Sequence, residues 1–162
     1  MVKTIGEEFF FRAMMAGYVA EGVIKAKVAD MPGYKEIRYQ DGDFLLVDRW
    51  CVNRTTQMSA GTTTMWHVGI PFWFMSYGGY YPESVINFLK KALGHSYSHS
   101  QFIGGRGPYV FADAGKSLSY VNHPRLNDFD RFEGREEIIT TYDDRCVGAV
   151  VGYHEYWGMR IS

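Results

Sequence analysis

In "DGDFLLVDRW", residues 41–50, strand alternation places Phe44, Leu46, Asp48 and Trp50 on one side. A carboxylate therefore meets an indole on a face that is otherwise apolar. Such a group serves either as an acceptor for a ligand or as a strand-end residue hydrogen-bonded to a turn. Asn122 holds a comparable place in "LSYVNHP", with His123 and Pro124 after it. His67 and His154 fall near strand ends, where an imidazole can carry a proton near neutral pH or sit as a structural residue. Arg106, in "GGRGPY", is flanked by Gly104, Gly105 and Gly107. It can offer an anion its guanidinium and open backbone amides, and otherwise reads as a flexible turn. This is not a phosphate loop: GxxxxGK[ST] is absent, and a strand rather than a helix follows.

Other chemistries find less support. Glu133, Glu136 and Glu137 in "FEGREEI" suggest paired carboxylates, but adjacent strand residues point to opposite faces and fit a solvated strand start better. His95 and His99 have helical spacing, yet they follow the apparent helix stop Gly94 and lack the glutamate of HExxH, so no metal site is assigned. Ser59, Ser76 and Ser84 lack a nucleophile elbow. Cys51 and Cys146 have neither CxxC spacing nor a secretory framework and read as small buried hydrophobes in a reduced, cytoplasmic setting. Neither a catalytic residue nor a cofactor is assigned.

What stands out is aromatic density. "IPFWFMSYGGYYP", residues 70–82, is matched late in the chain by "VGAVVGYHEYWG". Core burial explains most of these rings, but both clusters end beside glycines. Rings that stack a planar group, with arginine forks for phosphate or carboxylate, describe a pocket for a small anionic, nucleotide-like ligand. The residues expected to line it are Asp48, Trp50, Trp73, Tyr77, Arg106, Tyr120, His123, Tyr153, His154 and Trp157. The role is then sensing, or sequestration of the kind some phage proteins exert on host defence nucleotides. Two alternatives stand beside it. One is an enzyme acting on a nucleotide or sugar-like substrate through Asp48 or Glu137 with His123 or His154. The other is an interaction module whose rings form a homo-oligomer interface.

The frame for these residues is ordinary. Hydrophobic residues make up 46% and charged residues 22%, which excludes a disordered chain, and 162 residues suffice for one core. A net charge of -1 with scattered Lys and Arg argues against a nucleic-acid polymer as partner. No apolar run approaches the roughly 20 residues that span a bilayer, and "MVKTIGEEFF" lacks a signal-peptide core. Thr4 and Glu7 fit a capping box before the stripe Phe9, Phe10, Ala13 and Met14, with Gly17 as its end. A period of two follows from Gly33, with hairpin turns at Asp41-Gly42 and Gly69. "PESVINFLKKALG" is a helix from Pro82 to Leu93, and "HSYSHSQFIGGRG" is a polar connector suited to a mobile flap.

After the connector the first pattern returns: Phe44–Asp48 lies over Leu118–Asn122, Gly61 over Gly134 and Tyr77 near Tyr153, with an insertion around Tyr142–Arg145. The fold expected is α+β in one domain, 1–162. Two duplicated antiparallel β-meanders, about 34–81 and 109–158, form a curved sheet or a sheet pair, with an N-terminal and a central helix.

"FFFRAMMAGY", "GDFLLVD", "IPFWFMSYGGYY" before "FLKKAL", "GRGPY", and "FEGREEI" before "GYHEYWG" together resemble an uncharacterised bacterial domain family of unknown function. That family occurs alone or C-terminal to helix-turn-helix modules in transcriptional regulators. The resemblance implies a fold and a hint of ligand sensing, but no reaction. The chain departs from it at "AGTTT", where an acidic residue is expected after the glycine and Thr64 stands where Glu137 stands later.

Overall fold

The computed structural model describes residues 4–113, 115, 117–141 and 148–162. Helix α1, Ile5–Met14, starts where Thr4 Oγ1 accepts the Glu7 N–H at 3.2 Å. It buries Phe9, Phe10, Phe11, Ala13 and Met14. Four large side chains at roughly 2 kcal/mol each outweigh a cap worth about 1 kcal/mol, so packing holds this helix in place.

The strands β1 (Ala26–Lys27), β2 (Tyr34–Asp41), β3 (Phe44–Val52), β4 (Met58–His67) and β5 (Ile70–Tyr80) form an antiparallel meander. The chain then crosses one face of the sheet through a 3-10 turn, Glu83–Val85, and helix α2, Ile86–Ser98. It reaches the far edge as β6 (Val110–Ala112) and returns through β7 (Leu118–Asp128) and β8 (Arg131–Thr140) to β9 (Val150–Arg160), which pairs with β5. The result is one open nine-stranded antiparallel sheet, ordered β1-β2-β3-β4-β5-β9-β8-β7-β6, so the sheet-pair alternative falls. Its edges are strands of two and three residues, short enough to offer little template for edge pairing.

Both helices lie on one face of the sheet. There the Phe10 ring meets those of Trp73, Tyr97, Phe102 and Phe129, and Trp73 stacks on Phe129 and Phe132 at 5.5 and 5.2 Å. Among the described residues the opposite face carries no helix, and it exposes Trp157 and Met159.

Three boundaries differ from expectation. Gly17 does not end the first helix but lies within a π turn, Met15–Val19, that extends it. A Cβ at Gly17 would stand 2.6 Å from Ile37 Cγ2, and one at Gly94 would stand 3.0 Å from Val19 Cγ1. Both glycines permit close packing, and α2 therefore runs on through His95 to Ser98. The first hairpin turns at Gly42-Asp43, because Asp41 still pairs with Phe44. Residues 142–147, which hold the expected insertion and Cys146, lie outside the described residues.

Candidate functional site

Strand alternation aims Asp48 of β3, Ser59 and Thr63 of β4, Tyr77 of β5, Tyr120 of β7, Glu136 of β8 and His154 of β9 at the helix-bearing face, where they form a polar floor. Asp48 is 4% exposed, and its Oδ1 accepts the hydroxyls of Thr63 and Tyr77, each at 2.8 Å. Tyr77 passes over a glycine: a Cβ at Gly61 would stand 2.5 Å from Tyr77 Cζ. In the second meander Tyr156 donates to Asn122 Oδ1 at 2.7 Å and lies against Gly134 in the same way. Tyr77 faces Tyr156 in the β5–β9 ladder, and Tyr153 faces Tyr80.

The connector expected to be a mobile flap is instead driven into the floor. Residues 103–108 are buried. Asn122 Nδ2 donates to the carbonyls of Ile103 and Gly107, at 3.0 and 2.8 Å. Tyr97 donates to Gly105 O at 2.9 Å, and the Gly107 N–H donates to Tyr120 Oη at 2.9 Å. At its tip Arg106, 6% exposed, donates to Glu136, and its guanidinium lies 5.2 Å from the Tyr77 ring centroid. Glu136 is fully buried and also accepts from Tyr120, which corrects the solvated position expected for it. Burial opposes the charge on Arg106, but the adjoining Glu136 carboxylate overrides it and holds the guanidinium's pKa well above its usual value. Arg106 Nε and Tyr81 Oη are buried without hydrogen-bond partners of normal geometry among the described residues, although Tyr81 feels the Glu136 charge.

His154 decides whether this floor can activate a nucleophile. Burial first, and the Arg106 charge second, hold its pKa well below 6.5. Arginine has no acceptor, so with Arg106 Nη2 3.5 Å from Nδ1 the ring proton belongs on Nε2. Nε2–H then donates to Ser59 Oγ at 2.8 Å. Glu136 lies 3.8 Å from Nδ1, beyond hydrogen-bond reach. Ser59 thus accepts from the imidazole, the reverse of what a hydrolytic triad needs.

Beside Asp48 the floor meets a rim of cations and rings. Lys25 Nζ lies 5.4 Å from the Trp50 ring centroid, and Lys90 Nζ of α2 lies 5.9 Å from that of Tyr18 in the π turn. Partial burial lowers the pKa of Lys25, and the adjacent Lys90 and then Lys35 ammonium groups lower it further. Neither Lys25 nor Lys90 pairs with a carboxylate among the described residues, whereas the next residue, Lys91, reaches Asp113 at 2.9 Å. The Tyr18 hydroxyl is pushed up to about 12 by burial; Arg106 opposes the shift, and Asp48 and Glu136 add to it. Asp48 is raised by burial, against the hydroxyls of Thr63 and Tyr77 and the charges of Arg106 and Lys25. The Lys90 ammonium bears on Lys25, and the Asp48 carboxylate partly offsets it.

A family model described as a domain of unknown function matches residues 53–158, well over half of the chain. The chain belongs to the DUF5680 family. No curated protein and no solved structure is similar enough to it to count as a match. The DUF5680 match takes in Ser59, Tyr77, Lys90, Arg106, Glu136 and His154, while Tyr18, Lys25, Asp48 and Trp50 precede it.

Of the residues expected to line a site, Asp48, Tyr77, Arg106, Tyr120 and His154 converge on the floor, and Trp50 stands at its rim. Trp73 does not join them: it is fully buried four residues along β5 and donates to Phe129 O at 2.9 Å as part of the core. His123, Tyr153 and Trp157 are on the opposite face. His123 is exposed, Tyr153 lies under Arg135 at 4.0 Å, and Trp157 rests against Phe74 at 5.6 Å. Their strand parity, opposite to that of Tyr120, His154 and Tyr156, accounts for the split. An open groove of about 390 Å³ on that face, with Ser76, Gly78, Glu133, Glu155 and Trp157 in its walls, has its carboxylates engaged by Arg125 and Arg135.

The histidine pair His95 and His99 does sit one turn apart at the end of α2, but His99 Nδ1 is turned to the His95 carbonyl at 2.7 Å. Among the described residues no three His, Cys, Asp or Glu side chains gather as metal ligands. Cys51 is half-buried, its thiol 3.8 Å from Ala60 O. No helix among the described residues is long and apolar enough to cross a membrane. The sequence reading missed Tyr18, Lys25, Ser59 and Lys90. Lys25 and Lys90 are 65 residues apart and register only as scattered charge.

Proposed function

We propose that the protein binds a small anionic ligand bearing a flat ring, of nucleotide-like chemistry, without turning it over. The observation that carries this reading is Lys25 over the Trp50 ring and Lys90 over the Tyr18 ring, neither ion-paired with a carboxylate among the described residues, beside a buried polar floor. The ammonium groups take the anionic part, the rings take the planar part, and Asp48 lies at the inner end. Trp50 and Asp48 come from the first meander, Lys25 from the segment just before β1 and Arg106 from the connector, so ordering the ligand stiffens the join between them. That suits a sensor, and it equally suits a sequestering protein.

The enzymatic alternative loses half of its residues, since His123 and Glu137 face away from Asp48 and His154, and Glu137 is held by Arg135 at 2.7 Å. Homo-oligomerisation through the open face around Trp157 is a separate possibility, which light scattering at high concentration tests. We also read the two meanders as copies of one ancestral unit, a reading supported by the mirrored strand order and by the recurrence of Asp48–Tyr77–Gly61 as Asn122–Tyr156–Gly134.

Native mass spectrometry of gently purified protein, followed by a denaturing run, tests the proposal. A retained mass that is released on denaturation and carries phosphate is the expected result. A spectrum of bare chain that no added nucleoside phosphate alters is the contrary one.

A further inference from the structure

We infer that the protein forms a face-to-face dimer through the sheet face that bears Trp157, about a two-fold axis running nearly parallel to the strands through Ser76. This surface lies opposite the ligand site proposed above and does not depend on it.

The ladders define one row of residues across that face. From Ser76 at its middle the row runs outward through Thr62 and Arg49 to Glu36 on one side, and through Trp157 and Glu133 to the β7 bulge that holds Arg125 on the other. Glu36 accepts from Arg49 at 2.7 Å, and Glu133 accepts from Arg125 at 3.1 Å. Outward from Ser76 the charges are thus cation then carboxylate on one side, and carboxylate then cation on the other. A second copy turned over about the axis through Ser76 sets Arg49 against the partner's Glu133 and Glu36 against the partner's Arg125. The neighbouring row ends in Arg38 and Asp128, and the same axis sets these opposite each other. An axis along the row would instead stack each half on itself, arginine over arginine. Charge order of this kind is complementary to its own reverse, which a second copy supplies; a polyanion would meet Glu36 and Glu133 as well as the arginines.

Size and shape agree with this. The seven strands from β2 to β7 in sheet order are eight to eleven residues long. At about 4.8 Å between strands and about 3.3 Å per residue they present a flat area of roughly 900 Å². A stable interface takes about 800 Å² from each partner. Near the middle, Ala60, Ser76 and Gly78 line the groove of about 390 Å³ beside Trp157, which is 49% exposed. The axis through Ser76 brings each Trp157 over the partner's Thr62, at the margin of that groove, so an exposed ring meets an adjoining hollow.

Sedimentation equilibrium on the full chain and on charge-swapped variants tests this. Wild type is expected to be a dimer through the micromolar range. Glu36→Arg with Arg49→Glu reverses one half of the row, and Arg125→Glu with Glu133→Arg reverses the other; each keeps an ion pair within the chain. Either swapped chain alone is expected to be monomeric, because both contacts of its dimer would set like charges together. An equal mixture of the two is expected to restore a dimer, since both contacts of the mixed pair are complementary again. Wild type that stays monomeric, swapped chains that dimerise alone, or a mixture that stays monomeric overturns the proposal. Trp157→Ser, a change at an exposed ring, decides should a swapped chain fail to fold. Its dimer is expected to dissociate roughly tenfold more readily, and a dissociation constant equal to that of wild type is the contrary result.

Discussion

Val68 and Arg106 stand in settings that their chemistry does not prefer. Val68, in the β4–β5 turn with Gly69, has φ 49° and is 64% exposed. A β-branched residue in the left-handed region costs about 1–3 kcal/mol. Val68→Asn is therefore expected to raise the melting temperature with no loss of packing, and an unchanged or lower value in a thermal melt would contradict it. Arg106 and Glu136 form a buried ion pair, and losing one partner strands the other. Glu136→Leu or Arg106→Met alone is expected to lower unfolding free energy by about 3–5 kcal/mol in urea titrations, and the double variant by less than either. Additive losses would mean the two do not act as a pair. Asp48 and Arg106 were legible in the sequence, because each interrupts an apolar or glycine-rich pattern. Glu136 was not, because Glu137 beside it faces the other way and strand parity was open until the pairing was known.

The connector is the element whose behaviour follows least from its composition. Its polar, glycine-rich sequence suggests mobility, yet residues 103–108 are buried and side chains from α2 and β7 hold its backbone. Buried amides with intact hydrogen bonds open only with larger units of structure. The Arg106 amide, bonded to Ile103 O at 3.1 Å, and the Gly107 amide are expected to exchange with deuterium as slowly as those of β7. Exchange at the rate of an exposed loop would show the plug to be a flap after all. The meanders and both helices were legible from period and capping. Their ends were not, since Gly17 and Gly94 look like stops in sequence and serve as contact points in the fold, a distinction that depends on neighbours far along the chain.

At the scale of the whole molecule, the two meanders share one face of a single sheet and enclose an ionisable centre. Stability must therefore depend on pH. His154, held neutral with a folded pKa well below 6.5, leaves stability at its full value above about pH 6.5. Below that, the unfolded chain takes up a proton that the folded state refuses, and stability falls. Asp48, raised above 3.8, acts in the opposite sense: the folded state holds its proton better, so acidification through that window favours folding. His154→Gln is expected to flatten the loss below pH 6.5 in denaturant midpoints taken across pH, and Asp48→Asn to steepen the loss at lower pH. Identical profiles for wild type and both variants would place the pH dependence elsewhere.

The most direct measurement of the central claim is the melting temperature of wild type and of Lys25→Ala with Lys90→Ala across a panel of nucleoside and sugar phosphates. A ligand at a hundredfold excess over its Kd contributes about 2.7 kcal/mol, or roughly 5–10 °C for a chain of this size. The account predicts such a shift in wild type for at least one phosphate-bearing compound, and its loss in the double variant. No shift in wild type from any member of the panel, or an equal shift in both proteins, would contradict it.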